Sequence, residues 1–225
     1  MQLRIFCNFA NDKILNNLYM KKTMKKLLML MAGITMYACS ATAQPEGEGV
    51  ALTPEQQAAY QNIMTRTSIR SWKDKAVEQD KVEMLVRAGM AAPTAVNRQP
   101  WHFVVLIKRE SIDLLATGRG GGMVRKAPLA IVVCGDMNKA LEGPAQEFWV
   151  QDASAATENI LLAANALGLG AVWTGAYPIT ERVNGIKEAL GLSENLVPLC
   201  VILIGYPNEN PEPKDKWKPE NVTYK

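Results

Sequence analysis

Apolar residues recur along this chain with two different periods, and the switches between them mark out its elements. Val82, Leu85, Val86 and Met90 follow one another at helical spacing until Pro93, and Asp80-Lys81-Val82-Glu83 supplies the capping residue that opens such a run, so a helix is predicted there. An earlier helix is predicted from Thr53 to about Thr65, because Thr53-Pro54-Glu55-Gln56 combines a capping hydroxyl, proline at the first helical position and glutamine at the third. Short runs rich in Val, Ile and Leu at 102–107, 129–134, 171–174 and 199–204, bounded by Gly, Pro or charged residues, read as strands. Between the second and third of these, over about 151–167, apolar residues occupy more than one helical stripe, among them Ala153, Ala155, Ala156, Ala163, Ala164 and Ala166. Such small side chains let another backbone approach, so this helix is expected to be buried on several sides and to carry more apolar surface than one sheet can cover. Val183, Ile186 and Leu190 share a face of a further helix over 180–190, which Gly191 stops. Helices and strands alternate only loosely, which favours an α+β fold, a mixed sheet sandwiched by helices, over a strict doubly wound array. No internal repeat is visible.

The first 52 residues follow a different logic. Lys21, Lys22, Lys25 and Lys26 precede a short apolar run from Leu27 to Ala38, and twelve helical residues rise only about 18 Å, too little for a bilayer's hydrocarbon core. Residues 20–43 therefore read as a signal peptide. Ala41-Thr42-Ala43 offers an ordinary cleavage site, while Met36-Tyr37-Ala38-Cys39 resembles the lipobox of bacterial lipoproteins and favours a leader that ends before a lipidated Cys39. Residues 1–19 lie ahead of this pattern and read as an upstream start artefact, with Met20 or Met24 the expected beginning; polar, glycine-rich 44–52 reads as a linker to a folded domain over 53–225. The protein is expected to be exported, periplasmic or anchored as a bacterial lipoprotein, touching the membrane only through that lipid.

Charge then loses its apparent meaning. Of 25 basic and 22 acidic side chains, six and one respectively fall within residues 1–38, so the remainder sits near −2 and carries no basic surplus for nucleic acid. Two of the four cysteines, Cys7 and Cys39, lie in the leader region; Cys134 and Cys200 sit in apolar strand-like runs and are expected to be buried free thiols. A single histidine, His102, at the head of a strand, supplies neither a nucleophile's base nor a zinc ligand set, and is read as filling a strand end or touching a cofactor. Gly118-Arg119-Gly120-Gly121-Gly122 lacks the strand-turn-helix context of a phosphate cradle and is read as a mobile loop. No metal site and no catalytic side chain are expected, so the chemistry falls to an organic cofactor. Residues able to hold one are Arg66, Thr67, Ser68 and Arg70, two guanidinium groups and two hydroxyls suited to a phosphate, and the loop 93–99, where Thr94, Asn97 and Gln99 stand between two prolines.

Five elements in order give these residues a family. Arg66-x-Ser68-Ile69-Arg70, the run Ala92-Pro93-Thr94-Ala95-x-Asn97-x-Gln99-Pro100-Trp101-x-Phe103, Asp152-Ala153-x-Ala155-Ala156-x-x-Asn159, Ala166-Leu167-Gly168-Leu169-Gly170 leading to Trp173-x-Gly175, and Ile204-Gly205-Tyr206-Pro207 together resemble the nitroreductase family of flavoproteins. The resemblance implies a nitroreductase-like fold, an intertwined homodimer with FMN at the interface, and NAD(P)H as electron donor. It places Arg66, Thr67, Ser68 and Arg70 at the ribityl phosphate and Asn97 at the isoalloxazine ring. It brings Pro93, Thr94, Ala95 and Gln99 in from the partner chain or in support of that loop, sets Thr174 and Gly175 near the ring, and returns Lys214 and Lys216 from the tail to the phosphate. A ping-pong mechanism is implied, hydride passing from NAD(P)H to flavin N5 and on to a nitroaromatic, quinone or similar small-molecule acceptor. The short stretches between Trp101 and Leu129 and between Cys134 and Asp152 leave little chain for a helical lid, so an open, unselective acceptor pocket is expected. Export would put the protein where NAD(P)H is scarce, which leaves either another donor or another compartment. Two alternatives stand beside this reading: a non-catalytic FMN-binding or electron-relay protein at the cell envelope, and a reductive dehalogenase-type enzyme on the same scaffold.

Overall fold

In the computed structural model, which describes residues 50–116 and 121–225, the two strands with the most continuous apolar sequence lie at the centre of the sheet. These are β2 (Leu129–Asp136) and β4 (Leu196–Gly205), paired antiparallel and flanked by the edge strands β1 (Trp101–Leu106) and β3 (Gly170–Gly175), in the order β1-β2-β4-β3. Each strand reaches beyond or shifts from its predicted bounds by up to three residues, because ladder pairing continues past the apolar run: Asp136 still pairs with Leu196. The four strands are antiparallel throughout; the parallel component of the mixed sheet comes as an isolated bridge between Ser68 and Ala171.

Alternation along β2 splits the core into two layers, as the period of a strand requires. Leu129, Ile131 and Val133 face α5 (Phe148–Ala166) and α2 (Gln79–Met90), whereas Ala130, Val132 and Cys134 face Ile112 of the short α3 (Arg109–Asp113), Val124 of the short α4 (Gly121–Val124) and Ile186 of α6 (Thr180–Leu190). Helices therefore do sandwich the sheet. Cys134 and Cys200 belong to opposite layers and are free and buried, as expected; burial pushes each thiol up to about 12.

The first helix, α1 (Pro54–Thr65), carries the full capping box predicted for Thr53 and Gln56. At α2 the expectation fails in detail: Glu78 is the capping residue, without a side-chain bond, and Asp80 lies inside the first turn. Helix α6 ends as predicted at Gly191, whose φ of 60° suits glycine. The glycine run read as a loop enters helix α4 at Gly121; its first part, 118–120, lies outside the described residues, as do the leader, Cys39 and 44–49 of the linker.

The alanine-rich helix meets more than the sheet. It is indeed buried on several sides, but its own chain does the covering. Ala153, Ala156 and Ala164 are fully buried: Ala153 and Ala164 lie in the layer shared with the sheet and α2, and Ala156 packs on Ala92 and Trp101. Asparagine amides pin the neighbouring helices to α5, Asn159 donating to the Ala88 carbonyl of α2 (3.0 Å) and Asn165 to the Asn62 carbonyl of α1 (3.1 Å). Phe148 and Ala166 of α5 stay exposed, but the clearest open apolar stripe is on α1, which buries no residue and exposes Tyr60, Ile63 and Met64 at helical spacing.

Candidate functional site

The chain leaves α1 at Arg66 in an extended conformation and runs beside the edge of β3, where the Ile69 amide donates to the Ala171 carbonyl at 3.0 Å. The approach is close enough to demand glycine: a Cβ on Gly170 would lie 2.7 Å from Ile69. Ile69, buried against β3, forms part of the wall of a cavity of about 360 Å³, to which Arg66 and Thr67 bring polar groups together with Thr65, Asn165 and Glu209. Arg66 is held from α5, where Glu158 lies 3.3 Å from its Nε. The Glu209 carboxylate accepts from two successive backbone amides, Arg70 N at 2.5 Å and Ser71 N at 3.1 Å. Ser68 is half-buried at its bridge to Ala171, and the Arg70 side chain is exposed, its Nη1 3.4 Å from the Ser68 carbonyl. A guanidinium and two threonine hydroxyls around a cavity at the small end of ligand pockets, about 300–1,000 Å³, fit a phosphate and its attached chain.

The second group, 93–99, forms a three-residue 3-10 turn (Ala95–Asn97) between α2 and β1. It hangs from one buried acid: Asp152 of α5 accepts from the Ala95 amide at 2.9 Å. The loop otherwise ties itself, Thr94 Oγ1 accepting from Gln99 N (3.1 Å) and Gln99 Nε2 donating to Asn97 Oδ1 (3.0 Å). Val96, Asn97 and Gln99 have φ of 43°, 57° and 50°, a left-handed conformation that is costly for a β-branched residue, and Val96 is 78% exposed. Pro93, Asn97 and Gln99 are exposed too, whereas Thr94 and Ala95 are half-buried.

The predicted residues are thus gathered into two sets rather than one. Arg66 and Thr67 share the cavity, and the 93–99 loop does not line it. Both sets are held by α5, through Glu158 and Asp152, which lie six residues and roughly 9 Å of helix apart. At the far end of β3, Thr174 Oγ1 donates to the Val201 carbonyl (2.7 Å), and the Gly175 carbonyl accepts from Arg182 Nη1 (3.1 Å). Gly175 is exposed with nothing within 4 Å of where a Cβ would stand, so its backbone is open to close approach. Lys214 and Lys216 stand in the exposed tail and do not line the cavity, although Pro211 and Pro213 just before them do. His102 is exposed at the start of β1 and lines another cavity with Gln99, Trp101 and Phe103, in keeping with a strand-end role.

Several contributors escaped the sequence reading. Asp152 and Asn159 stood in a recognised motif without a role, and an acid on the alanine-rich face of a helix was a usable sign of a buried partner. Glu158 and Glu209 gave none, because their partners lie 92 and 139 residues away in the chain.

Comparison with known proteins draws on the same segments. The model of the nitroreductase family matches residues 63–117 and 115–206. A Methanothermobacter thermautotrophicus protein assigned as an NADH dehydrogenase/NAD(P)H nitroreductase is 44% identical over 162 residues, covering 71% of this chain and 83% of its own. A Bacteroides thetaiotaomicron structure assigned the same way is 42% identical with a TM-score of 0.69, covering 74% of this chain and 96% of its own. A Desulfovibrio desulfuricans nitroreductase solved in complex with FMN is 32% identical with a TM-score of 0.66, covering 78% and 98%.

Proposed function

The chain belongs to the nitroreductase family, and from that premise we propose that it is an FMN-dependent NAD(P)H oxidoreductase reducing nitroaromatic, quinone or similar acceptors by a ping-pong mechanism. The observation that carries the proposal is the cavity at the family's first motif, where Arg66 and Thr67 present phosphate-binding groups already oriented by α5 and β3.

FMN, when bound, supplies the transfer of two electrons as hydride from a reduced nicotinamide to an acceptor that occupies the same place in turn. The chain's own part is binding and exclusion. Arg66, Thr67 and Ser68 hold the phosphate, with Arg70 adding charge from the exposed side and Lys214 and Lys216 turning in from the tail. Asn97 meets the ring with a side-chain amide, which can both donate and accept. Pro93, Thr94, Ala95 and Gln99 shape that loop, and Thr174 and Gly175 offer backbone at the end of β3. No side chain needs to act as acid or base, which suits a chain with a single, exposed histidine.

The working unit we propose is a homodimer in which the 93–99 loop completes a site with the other chain. Support comes from the exposed stripe Tyr60, Ile63 and Met64 on α1 and from the outward-facing, strained loop itself. Among the described residues, only the five-residue α3 and four-residue α4 stand between β1 and β2, and one 3-10 turn stands between β2 and α5, which supports an open acceptor pocket. Export through the 20–43 leader, with lipidation at Cys39, remains part of the proposal on the sequence pattern alone.

Anaerobic addition of NADH or NADPH to the flavin-loaded protein, followed by a nitroarene or quinone, tests the reading. Bleaching of the flavin's visible absorption with a reduced nicotinamide and recovery with the acceptor are expected. A flavin that neither nicotinamide reduces would leave a binding or relay protein in its place.

A further inference from the structure

Beyond β4 the chain does not simply leave the fold. Residues 206–208 run antiparallel to 71–73: Lys73 N donates to the Tyr206 carbonyl (2.8 Å), Asn208 N donates to the Ser71 carbonyl (3.0 Å), and Trp72 bridges to Pro207. Where this ladder stops, Glu209 continues it with a side chain, taking the amides of Arg70 and Ser71 on one carboxylate oxygen. The segment's other end is fixed at Tyr206. The Lys75 ammonium lies 3.8 Å from that ring's centroid, and the hydroxyl donates to Glu78 at 2.7 Å. From this double anchor Pro207, Glu209, Asn210, Pro211 and Pro213 follow the wall of the Arg66 cavity. Prolines at 211 and 213 fix φ and stiffen the run, so at about 3.1 Å per residue Lys214 and Lys216 emerge some 15–22 Å of chain beyond Glu209.

We propose that Glu209 is a positioning residue for FMN, the anchor from which residues 210–216 act as a strap that brings Lys214 and Lys216 onto the phosphate. This rests on the reading of the cavity as the phosphate end of a flavin site. A short, stiff tether fixed at its root keeps two cations at high local concentration beside the cavity, whereas the same tail released at Glu209 would dilute them over a much larger volume. The carboxylate's own charge opposes a phosphate, and two N–H groups occupy its inner oxygen, so the tether is what Glu209 contributes.

Titration of FMN and of riboflavin, which lacks the phosphate, separates this from other roles. Glu209→Ala is expected to weaken FMN about tenfold, as loss of a charge-assisted bond at an exposed site allows, and to leave riboflavin unchanged. Glu209→Gln keeps the acceptor oxygen and is expected to bind FMN at least as tightly as the parent. Adding Glu209→Ala to Lys214→Ala/Lys216→Ala is expected to cost nothing further, the non-additivity of groups acting through one another. Trypsin should cut at Lys214 and Lys216 in either chain alone, with FMN protecting the parent and not Glu209→Ala. Unchanged FMN affinity in Glu209→Ala would overturn the strap while leaving the flavin site standing. So would equal loss of FMN and riboflavin, additivity with the lysine pair, or tighter FMN in both Glu209 variants. A parent protein that does not favour FMN over riboflavin would overturn the phosphate cavity and the strap with it.

Discussion

Two segments of this chain carry residues suited to a flavin, and they are built in opposite ways. Residues 66–71 are held along both edges, by β3 through Ile69 and by the tail through Glu209, and from above by Glu158 of α5. Residues 93–99 hang from α5 by the single bond of Asp152 to Ala95, hold three non-glycine residues at positive φ and expose Val96 almost fully. The first segment closes a cavity within one chain. The second stores strain and faces outward, an arrangement that persists only where surroundings over-determine it and that belongs with function more often than with stability. On the proposed reading, the phosphate end is pre-organised within one chain, and the outward-facing loop is the part left for a second copy to finish.

The most damaging way to break this contrast is to separate the copies. Ile63→Glu on the exposed face of α1 is expected to leave helix content intact, give a monomer by sedimentation at micromolar concentration and strip most of the flavin, since association and binding are linked. A monomer that keeps stoichiometric FMN would show that one chain builds both ends. Ala156, which family motif and composition alone would nominate for such a test, is unsuitable because it is fully buried against Ala92 and Trp101.

Next in size are the arginines. Arg66→Ala is expected to cost about 1.5–3 kcal/mol of FMN binding, roughly ten- to a hundredfold, and Arg70→Ala less, because Arg70 is exposed and its backbone amide survives the change. Fluorescence titration would decide it, and equal affinities in both variants and the parent would return the segment to a solvated turn. At the other segment, Val96→Gly removes left-handed strain of about 1–3 kcal/mol while loosening the unfolded chain by about 0.5–1 kcal/mol, so denaturant melts should show a gain of about 1 kcal/mol. A loss would mean that the valine is not strained there.

The smallest effect is an acid one. The Tyr206 hydroxyl, together with a backbone hydrogen bond and Lys75, holds the Glu78 carboxyl down from the usual 4.5 to about 2. A carboxyl depressed in the folded state stabilises above its unfolded value and loses that contribution as pH falls through its folded one. Glu78→Gln should therefore flatten the acid limb of the melting profile between about pH 4.5 and 2 and leave neutral FMN affinity unchanged. An unaltered limb would detach Glu78 from the tail's anchorage.

What could be read beforehand divides along the same line. Local patterns located every long helix and all four strands: a capping signature marked α1, helical spacing marked α2, α5 and α6, and runs of Val, Ile and Leu marked the strands. The chemistry of Arg66 and Thr67 was legible as composition, and the 93–99 loop as amides between prolines. Positive φ at Val96 was not, since a β-branched residue is the last expected there. Nor could Glu209 be seen, because its partners are backbone amides, which leave no trace in a side-chain pattern. What covers α5 beyond the sheet was hidden for a related reason: the sequence shows how much apolar surface a helix offers, while α1, α2 and β1 decide how much of it is met.

The most direct test of the whole account is the colour of the protein. The purified protein, denatured and its supernatant separated, should release a stoichiometric amount of a yellow flavin that co-elutes with FMN and not with FAD or riboflavin. A colourless protein that takes up no FMN when it is supplied would contradict the account at its centre.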